Sequence, residues 1–312
     1  MSVEITEAMV EQFSANVLML SQQKGSRLKM CVRNETQKGK AAFYDRIGAV
    51  DPVKKVGRHS NTPQIDTPHT RRMVTLEDYE WADLIDQQDK IRIIQEPTSE
   101  YVMAAMWAMG RAMDDEIILA AVGVARAGES GQTSIAFPVG QIYAANDGTT
   151  FDNMSVNTLR GLKQKFDAAD VMEDEHRYLA VGSSQIYSLL GDTSLTSADY
   201  NSVKALVDGQ IDTFMGFKFI RTERLPTVLA AESYDADFTD GSVAAGTSDT
   251  TGFRKCVAWA QSGLLLSVGE DMKARITERD DKSYAVQPYV SMSVGAVRME
   301  EVRVAIALCS EA

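Results

Sequence analysis

Residues 96–125 read EPTSEYVMAAMWAMGRAMDDEIILAAVGVA, and how this stretch folds decides the architecture of the chain. Pro97 suits a first helical turn, where its missing N–H would have no partner; Thr98 or Ser99 can cap, and Glu100 meets the positive end of the helix dipole. Val102, Met106, Met109, Met113, Ile117 and Ala120 then recur at intervals of three and four, while Arg111, Asp114 and Asp115 fall at other angles around the axis. The spacing predicts one helix of roughly 26 residues, about 40 Å long at a rise of about 1.5 Å per residue. That exceeds what a small compact domain needs, so the helix reads as a strut. Ala104, Ala105, Ala108 and Ala112 keep its flanks thin and let other segments lie close against it.

Around the strut, a chain of 312 residues with 44% hydrophobic and 24% charged residues has the makeup of a soluble globular protein, with room for one large domain or two lobes. The start, MSVEITEAMVEQF, is acidic where a signal peptide would be basic, and charges interrupt every apolar run before it reaches spanning length. A cytoplasmic product is expected, with no membrane segment. Cys31, Cys256 and Cys309 lie far apart and form no CxxC pair, so they are read as small apolar residues and not as a disulfide or zinc framework. The net charge of −12 is uneven: residues 1–72 hold 12 Lys and Arg against 7 Asp and Glu, a local +5, which leaves −17 for the rest. The basic residues are dispersed and lack interleaved aromatics, which argues against strong nucleic-acid binding. A basic part of one copy that meets an acidic part of another is the alternative.

In chain order, residues 6–23 read as an amphipathic helix with Ile5, Met9, Phe13, Val17 and Leu20 in one stripe, and Lys24 and Gly25 as a stop; this arm can pack on its own subunit or on a neighbour. From Lys38 to Met73 no apolar run is long enough to bury, and Gly and Pro punctuate the segment. An extended, two-stranded flap is expected, with Lys54, Lys55, Arg58, Arg71 and Arg72 as its intersubunit contact residues over an acidic partner. Residues 75–88 are read as a short helix capped by Thr75. Ile135 to Val139 and Ile142 to Ala145 read as a small hairpin. From Asn153 to Gly209 helix and strand alternate, as in an α/β lobe: helices over 156–166, 184–190 and 197–207, and a strand over 178–181. A strand over 217–220 follows, then a surface loop over 230–252, then apolar runs at 256–260 and 264–268 around a Ser262–Gly263 turn. Val290, Met292 and Val294, then Val302, Val304, Ile306 and Leu308, alternate as one face of consecutive strands.

Catalytic signatures are missing. No GxxxxGK, GxGxxG, GxSxG or HExxH occurs. Glu173, Asp174, Glu175 and His176 are consecutive and point in different directions, and Asp235, Asp237 and Asp240 fail the calcium-loop pattern because Gly246 stands where its glutamate should be. His59 and His69 have no acidic or cysteine companion at ligand spacing and are read as solvated. Asp114, Asp115 and Glu116 are read as a charged helix face. No cofactor or metal is expected.

Taken in sequence, FSANVLMLSQQKGSRL, YEWADLIDQQDKIRIIQEPTSEYVMAAMWAMGRAMDDEIILAA, RYLAVGSSQIYSLLGD and GFKFIRTERLP resemble the major capsid proteins of tailed bacteriophages with the Hong Kong 97-type fold. The resemblance implies an α+β chain: an N-terminal arm at 1–45, an extended loop at 46–75, a peripheral domain with the spine helix at 76–150, an axial domain at 151–272 and return strands to the peripheral domain at 273–312. It further implies a non-enzymatic protein that forms hexamers and pentamers in an icosahedral shell, assembled in the host bacterial cytoplasm. The shell would enclose double-stranded DNA without sequence-specific contacts and engage scaffolding, portal and decoration proteins. Two other readings stand beside it: a shell of the same fold around a cellular nanocompartment, and a cytoplasmic α/β enzyme with a carboxylate and metal site near Asp114 or Asp174. A shell wall is thin and broad, so each subunit needs a strut in place of a round core, and extended segments that only neighbours can cover.

Overall fold

The computed structural model describes residues 21–85, 98–145, 152–171, 175–191, 213–229, 234–236, 243–245 and 252–311. The arm stripe over 6–20, the end of the segment read as a helix over 75–88, and the helix over 197–207 lie outside these residues. The chain divides into two compact units: Met1–Ser26, Asp78–Met113 and Glu270–Ser293 make one, and Arg27–Glu77, Asp114–Gly269 and Val294–Ala312 make the other.

The strut is a single helix, α1, Thr98–Val122, of 25 residues. Its buried residues include Ala105, Met109, Met113, Ile117 and Ala121, a row spaced by four. Such a row advances about 40° around the axis at each step, because a turn holds about 3.6 residues. The covered face therefore winds along the helix instead of keeping to one side. This is why Met109, Met113 and Ile117 of the expected stripe are buried while Met106 is 41% exposed.

In the first unit, one face of α1 grips the chain at 22–26. Arg111 Nη1 donates to Gln22 Oε1 at 3.0 Å and to Gln23 O at 3.1 Å, and Lys24 Nζ stands 5.5 Å from the Trp107 ring centre. Between them Gly110 lets backbone touch backbone: a Cβ there would sit 2.5 Å from the Gly25 carbonyl carbon and 2.6 Å from Ser26 N. Residues 107, 110 and 111 share a face because they are three and four apart. Where a short helix was predicted, β4 (Glu77–Ala82) is a strand instead. Half-buried Tyr79 and Trp81 alternate with exposed Asp78, Glu80 and Ala82, and this period of two fits pairing better than the Thr75 cap fits a helix. β4 ends the strand order beside β15 (Ala285–Arg298). Next to it, Ile85 bridges Val286, Ser293 Oγ donates to Asp78, and Tyr289 OH donates to Glu80 Oε2 at 3.3 Å. Along β15, Val290, Met292 and Val294 form the buried face, as their alternation predicts.

The second unit is built on a six-stranded sheet in the order β7-β16-β13-β8-β10-β9. Its strands are β7 (Ile142–Ala144), β8 (Arg177–Val181), β9 (Thr213–Phe214), β10 (Phe217–Arg221), β13 (Arg254–Ala260) and β16 (Val304–Cys309). Every residue of β8 and β16 is buried. β16 thus lies between two covered faces, and the one-sided alternation expected of Val304, Ile306 and Leu308 does not hold, because Ala305, Ala307 and Cys309 are buried as well. α2 (Val156–Ala168) starts at Ser155, whose hydroxyl caps Thr158 N, and buries Leu159, Leu162 and Phe166, each worth about 2 kcal/mol on transfer from water. The Phe166 ring meets Phe217 edge-on at 5.7 Å. α3 (Ser183–Gly191) follows β8 directly.

A second sheet in this unit carries the flap. β2 (Ala41–Ile47) pairs antiparallel with β3 (His69–Thr75) from Ala41↔Thr75 to Ile47↔His69. β3 then pairs with β5 (Ala125–Ala127), and β5 with β6 (Thr133–Ile135). The hairpin expected from Ile135 to Ala145 is absent, since β6 belongs to this sheet and β7 to the six-stranded one. β1 (Arg33–Thr36) lies parallel to the start of β14 (Leu264–Arg279), Arg33 beside Leu265. Within the span read as surface loop, β11 (Tyr234–Ala236) and β12 (Val243–Ala245) pair antiparallel. That pairing corrects the loop reading.

Candidate functional site

The flap begins where β2 and β3 stop. Gly48 N donates to Pro68 O at 2.9 Å and closes the neck of the loop. Residues 47–70 are exposed at every position. Among them Val56 is 95% exposed and Val53 61%, in a segment that also holds Lys54, Lys55 and Arg58. His59 and His69 are exposed too. No ion pair forms to Lys54, Lys55 or Arg58 among the described residues, so three cations and several branched apolar side chains face outward together.

Arg71 and Arg72 are neighbours with opposite fates, because side chains alternate across a strand. Arg71 points outward over the Phe43 ring at 5.5 Å and donates to Asp45 Oδ1 at 2.6 Å. That hydrogen bond holds the Asp45 carboxyl below the usual carboxylate range. Arg72 points inward with no exposed surface, pairs with Glu301, and donates to Met299 O at 3.3 Å. Its place among the intersubunit contacts is therefore corrected: a guanidinium buried and bonded inside its own subunit is out of a neighbour's reach.

Arg72 is one of three arginines gathered on one carboxylate. Arg46 lies 3.9 Å and Arg298 3.8 Å from Glu301, and Arg46 also donates to Met299 O. Arg298, fully buried, closes the end of α1: its Nη1 donates to Ala121 O at 2.9 Å and Gly123 O at 2.8 Å. A cation at a helix C-terminus satisfies carbonyls that have no partner within the helix. Burial pushes the Arg298 pKa down to about 10 against the upward pull of Glu301. This cluster joins the flap base, the helix end and the end of β15 inside the second unit. The sequence gives no sign of it, since the arginines are 26 and 226 positions apart.

Asp114 is the other residue the sequence concealed. It is fully buried, and its carboxylate accepts Arg27 N at 3.0 and 3.2 Å and Leu28 N at 3.1 Å. Asp115, one position on, is a partly exposed partner of Arg224. The charged-face reading holds for Asp115 and fails for Asp114. Nor does Asp114 supply a catalytic carboxylate, because backbone amides occupy its oxygens; Asp174 lies outside the described residues. No group of three His, Cys, Asp or Glu able to hold a metal occurs among the described residues. A cavity of about 670 Å³ beside the flap base is lined by Asp45, Arg46, His69, Thr70, Arg71 and Glu129 among others. Among the described residues no helix is long and apolar enough to cross a membrane.

The fold is similar to that of several solved phage capsids. The capsid structure of the cyanophage P-SCSP1u has a TM-score of 0.74 at 14% identity, with 99% of this chain and 95% of that one covered. The cyanophage Pam1 capsid asymmetric unit has a TM-score of 0.69 at 13% identity, with 98% of each chain covered. The capsid of Ralstonia phage GP4 has 0.68 at 10%, with 97% and 96% covered. No curated protein matches the chain in sequence. The strut and the uncovered flap, with these capsid neighbours, define a chain of the Hong Kong 97-type fold. The chain belongs to the phage capsid protein family, which matches residues 5–311. It is a major capsid protein, a structural component of the virion shell and not an enzyme.

Proposed function

We propose that this subunit assembles into hexamers and pentamers of a closed icosahedral shell, with the flap laid over an adjoining copy. The observation that carries this is the flap itself, exposed at every position from 47 to 70. Covering Val50, Val53, Val56 and Ile65 would remove several branched side chains from water at about 1.5–3 kcal/mol each. An isolated subunit leaves that stabilisation unused. Lys54, Lys55, Arg58 and Arg71 form the polar part of the contact. In this reading residues 46–75 are the extended loop, 76–150 the peripheral domain with α1 as its spine, 151–272 the axial domain and 273–312 the return strands, with 1–45 as the arm.

The shell encloses double-stranded DNA without reading its sequence. A net charge of −12 keeps the wall from adhering to the packaged polyanion. Assembly takes place in the host cytoplasm, with scaffolding, portal and decoration proteins as partners. Electron microscopy of the purified protein under assembly conditions tests the proposal: closed shells are expected. A protein that stays a small oligomer at every concentration and ionic strength would refute it.

A further inference from the structure

Ion pairs of the second unit such as Asp115 with Arg224, Asp167 with Arg177 and Glu311 with Arg254 match one cation to one carboxylate. The cluster on Glu301 does not. Arg46, Arg72 and Arg298 share that carboxylate, which leaves a surplus of two positive charges. Among the described residues only Arg72 hydrogen-bonds Glu301; Arg46 and Arg298 stand 3.9 and 3.8 Å away, too far for a hydrogen bond. The side chains of Arg72 and Arg298 have no exposed surface, and the Arg72 Nη1 and Arg298 Nε donors reach no acceptor among the described residues. Burial lowers the pKa of both, yet a guanidinium stays protonated at neutral pH, so the surplus cannot be shed as protons. Arg46 further repels Arg72, and Arg72 repels Arg298. A buried cation without a counter-charge is costly, and an anion nearby would offset that cost.

The cavity of about 670 Å³ adjoins this surplus. Arg46 belongs to both: it lines the cavity, its Nη1 donates to Met299 O inside the cluster, and its Nε donates to Thr70 Oγ1 at 3.2 Å. Its Nη2 has no hydrogen-bond partner among the described residues. Ile135, also in the wall, accepts from Arg298 Nη2 through its carbonyl at 3.4 Å. Thr70 and Thr133 add hydroxyls to the wall, and Thr70, whose oxygen Arg46 engages, keeps its hydrogen to donate. The other charged or titratable groups there are Asp45, His69, Arg71 and Glu129, with Asp45 held by Arg71. We infer that this cavity binds a compact oxyanion of the phosphate or sulfate type, held by the Arg46 guanidinium and the threonine hydroxyls. Charge-assisted bonds from arginine suit such oxygens, and Arg72 and Arg298 behind Arg46 add to the attraction. A polyanion such as DNA would also meet the carboxylates of Asp45 and Glu129, which favours a small ligand over a polymer. The site lies within one unit of a single subunit and is independent of the shell reading.

Titration of the unassembled full-length subunit with inorganic phosphate tests this, by calorimetry and by thermal midpoint against sodium chloride of equal ionic strength. Saturable binding is expected, with a midpoint rise of about 3 °C or more at roughly ten times the dissociation constant. Arg46→Gln should weaken binding about tenfold or more. Glu129→Gln removes an exposed wall carboxylate and should tighten binding about threefold, a gain that a misfolded variant could not show. Sulfate should displace phosphate, and a short DNA duplex should not. A midpoint that climbs without saturation and equally in all three proteins is the general exclusion of such salts from protein surface, and it would overturn the site. Binding to Arg46→Gln as tight as to the wild type, or no change in Glu129→Gln, would overturn it as well. Displacement of phosphate by the duplex would overturn the assignment to a compact anion.

Discussion

Removing the Asp114 carboxylate should weaken the second unit well beyond the change at its neighbour Asp115. In Asp114→Ala the amides of Arg27 and Leu28 lose the acceptor they reach at 3.0–3.2 Å, and Leu28 has no exposed surface through which water could replace it. A hydrogen bond to a charged group contributes about 1.5–3 kcal/mol, and a buried donor left without a partner costs a similar amount. Leu28 N is the buried donor of the two and Arg27 N a part-buried one, so the expected loss is about 2–4 kcal/mol. Asp114→Asn keeps one oxygen but turns an NH₂ toward an N–H, so roughly 2 kcal/mol should be lost. Asp115→Ala is the internal control: its Arg224 partner is 38% exposed, and such a pair is worth under about 1 kcal/mol once solvent screening is counted. Urea titrations of unassembled subunits, read by circular dichroism and tryptophan fluorescence, would measure all three. Asp114→Ala no more destabilised than Asp115→Ala would refute the assignment of Asp114 as the anchor of residues 27 and 28.

Two further outcomes follow from the same kind of accounting. Gly110→Ala should destabilise by about 1–3 kcal/mol, although the change usually favours a helix by about 1 kcal/mol, because its Cβ would stand 2.5 Å from the Gly25 carbonyl carbon; thermal unfolding gives the sign directly. Glu311, held below its usual pKa of 4.5 by the Arg254 guanidinium and the Gln185 amide, contributes stability that is complete above about pH 4.5 and lost as pH falls through its lower folded value. Arg254→Gln should therefore flatten the acid limb of a plot of thermal midpoint against pH below about 4.5; an unchanged limb would place the acid sensitivity in other carboxylates.

The sequence determined the elements whose signals are local. The strut ends within a few residues of where Pro97, Thr98 and the three–four spacing put it, since a helix is decided by its own residues and its caps. β8, β10 and α2 came through for the same reason, as did the uncovered flap, in which no run of side chains suffices to bury a backbone. Only the tertiary structure decided matters that turn on who lies opposite whom. Thr75 and the acids after it favour a helix locally, but β15 offers a partner, and Glu77–Ala82 becomes a strand. Arg71 and Arg72, or Asp114 and Asp115, are alike in sequence, yet one of each pair is buried and bonded inside its own subunit while the other meets solvent. One step along a strand reverses the side chain, and one step along a helix turns it by about 100°, so the core can reach one member of such a pair and not the next.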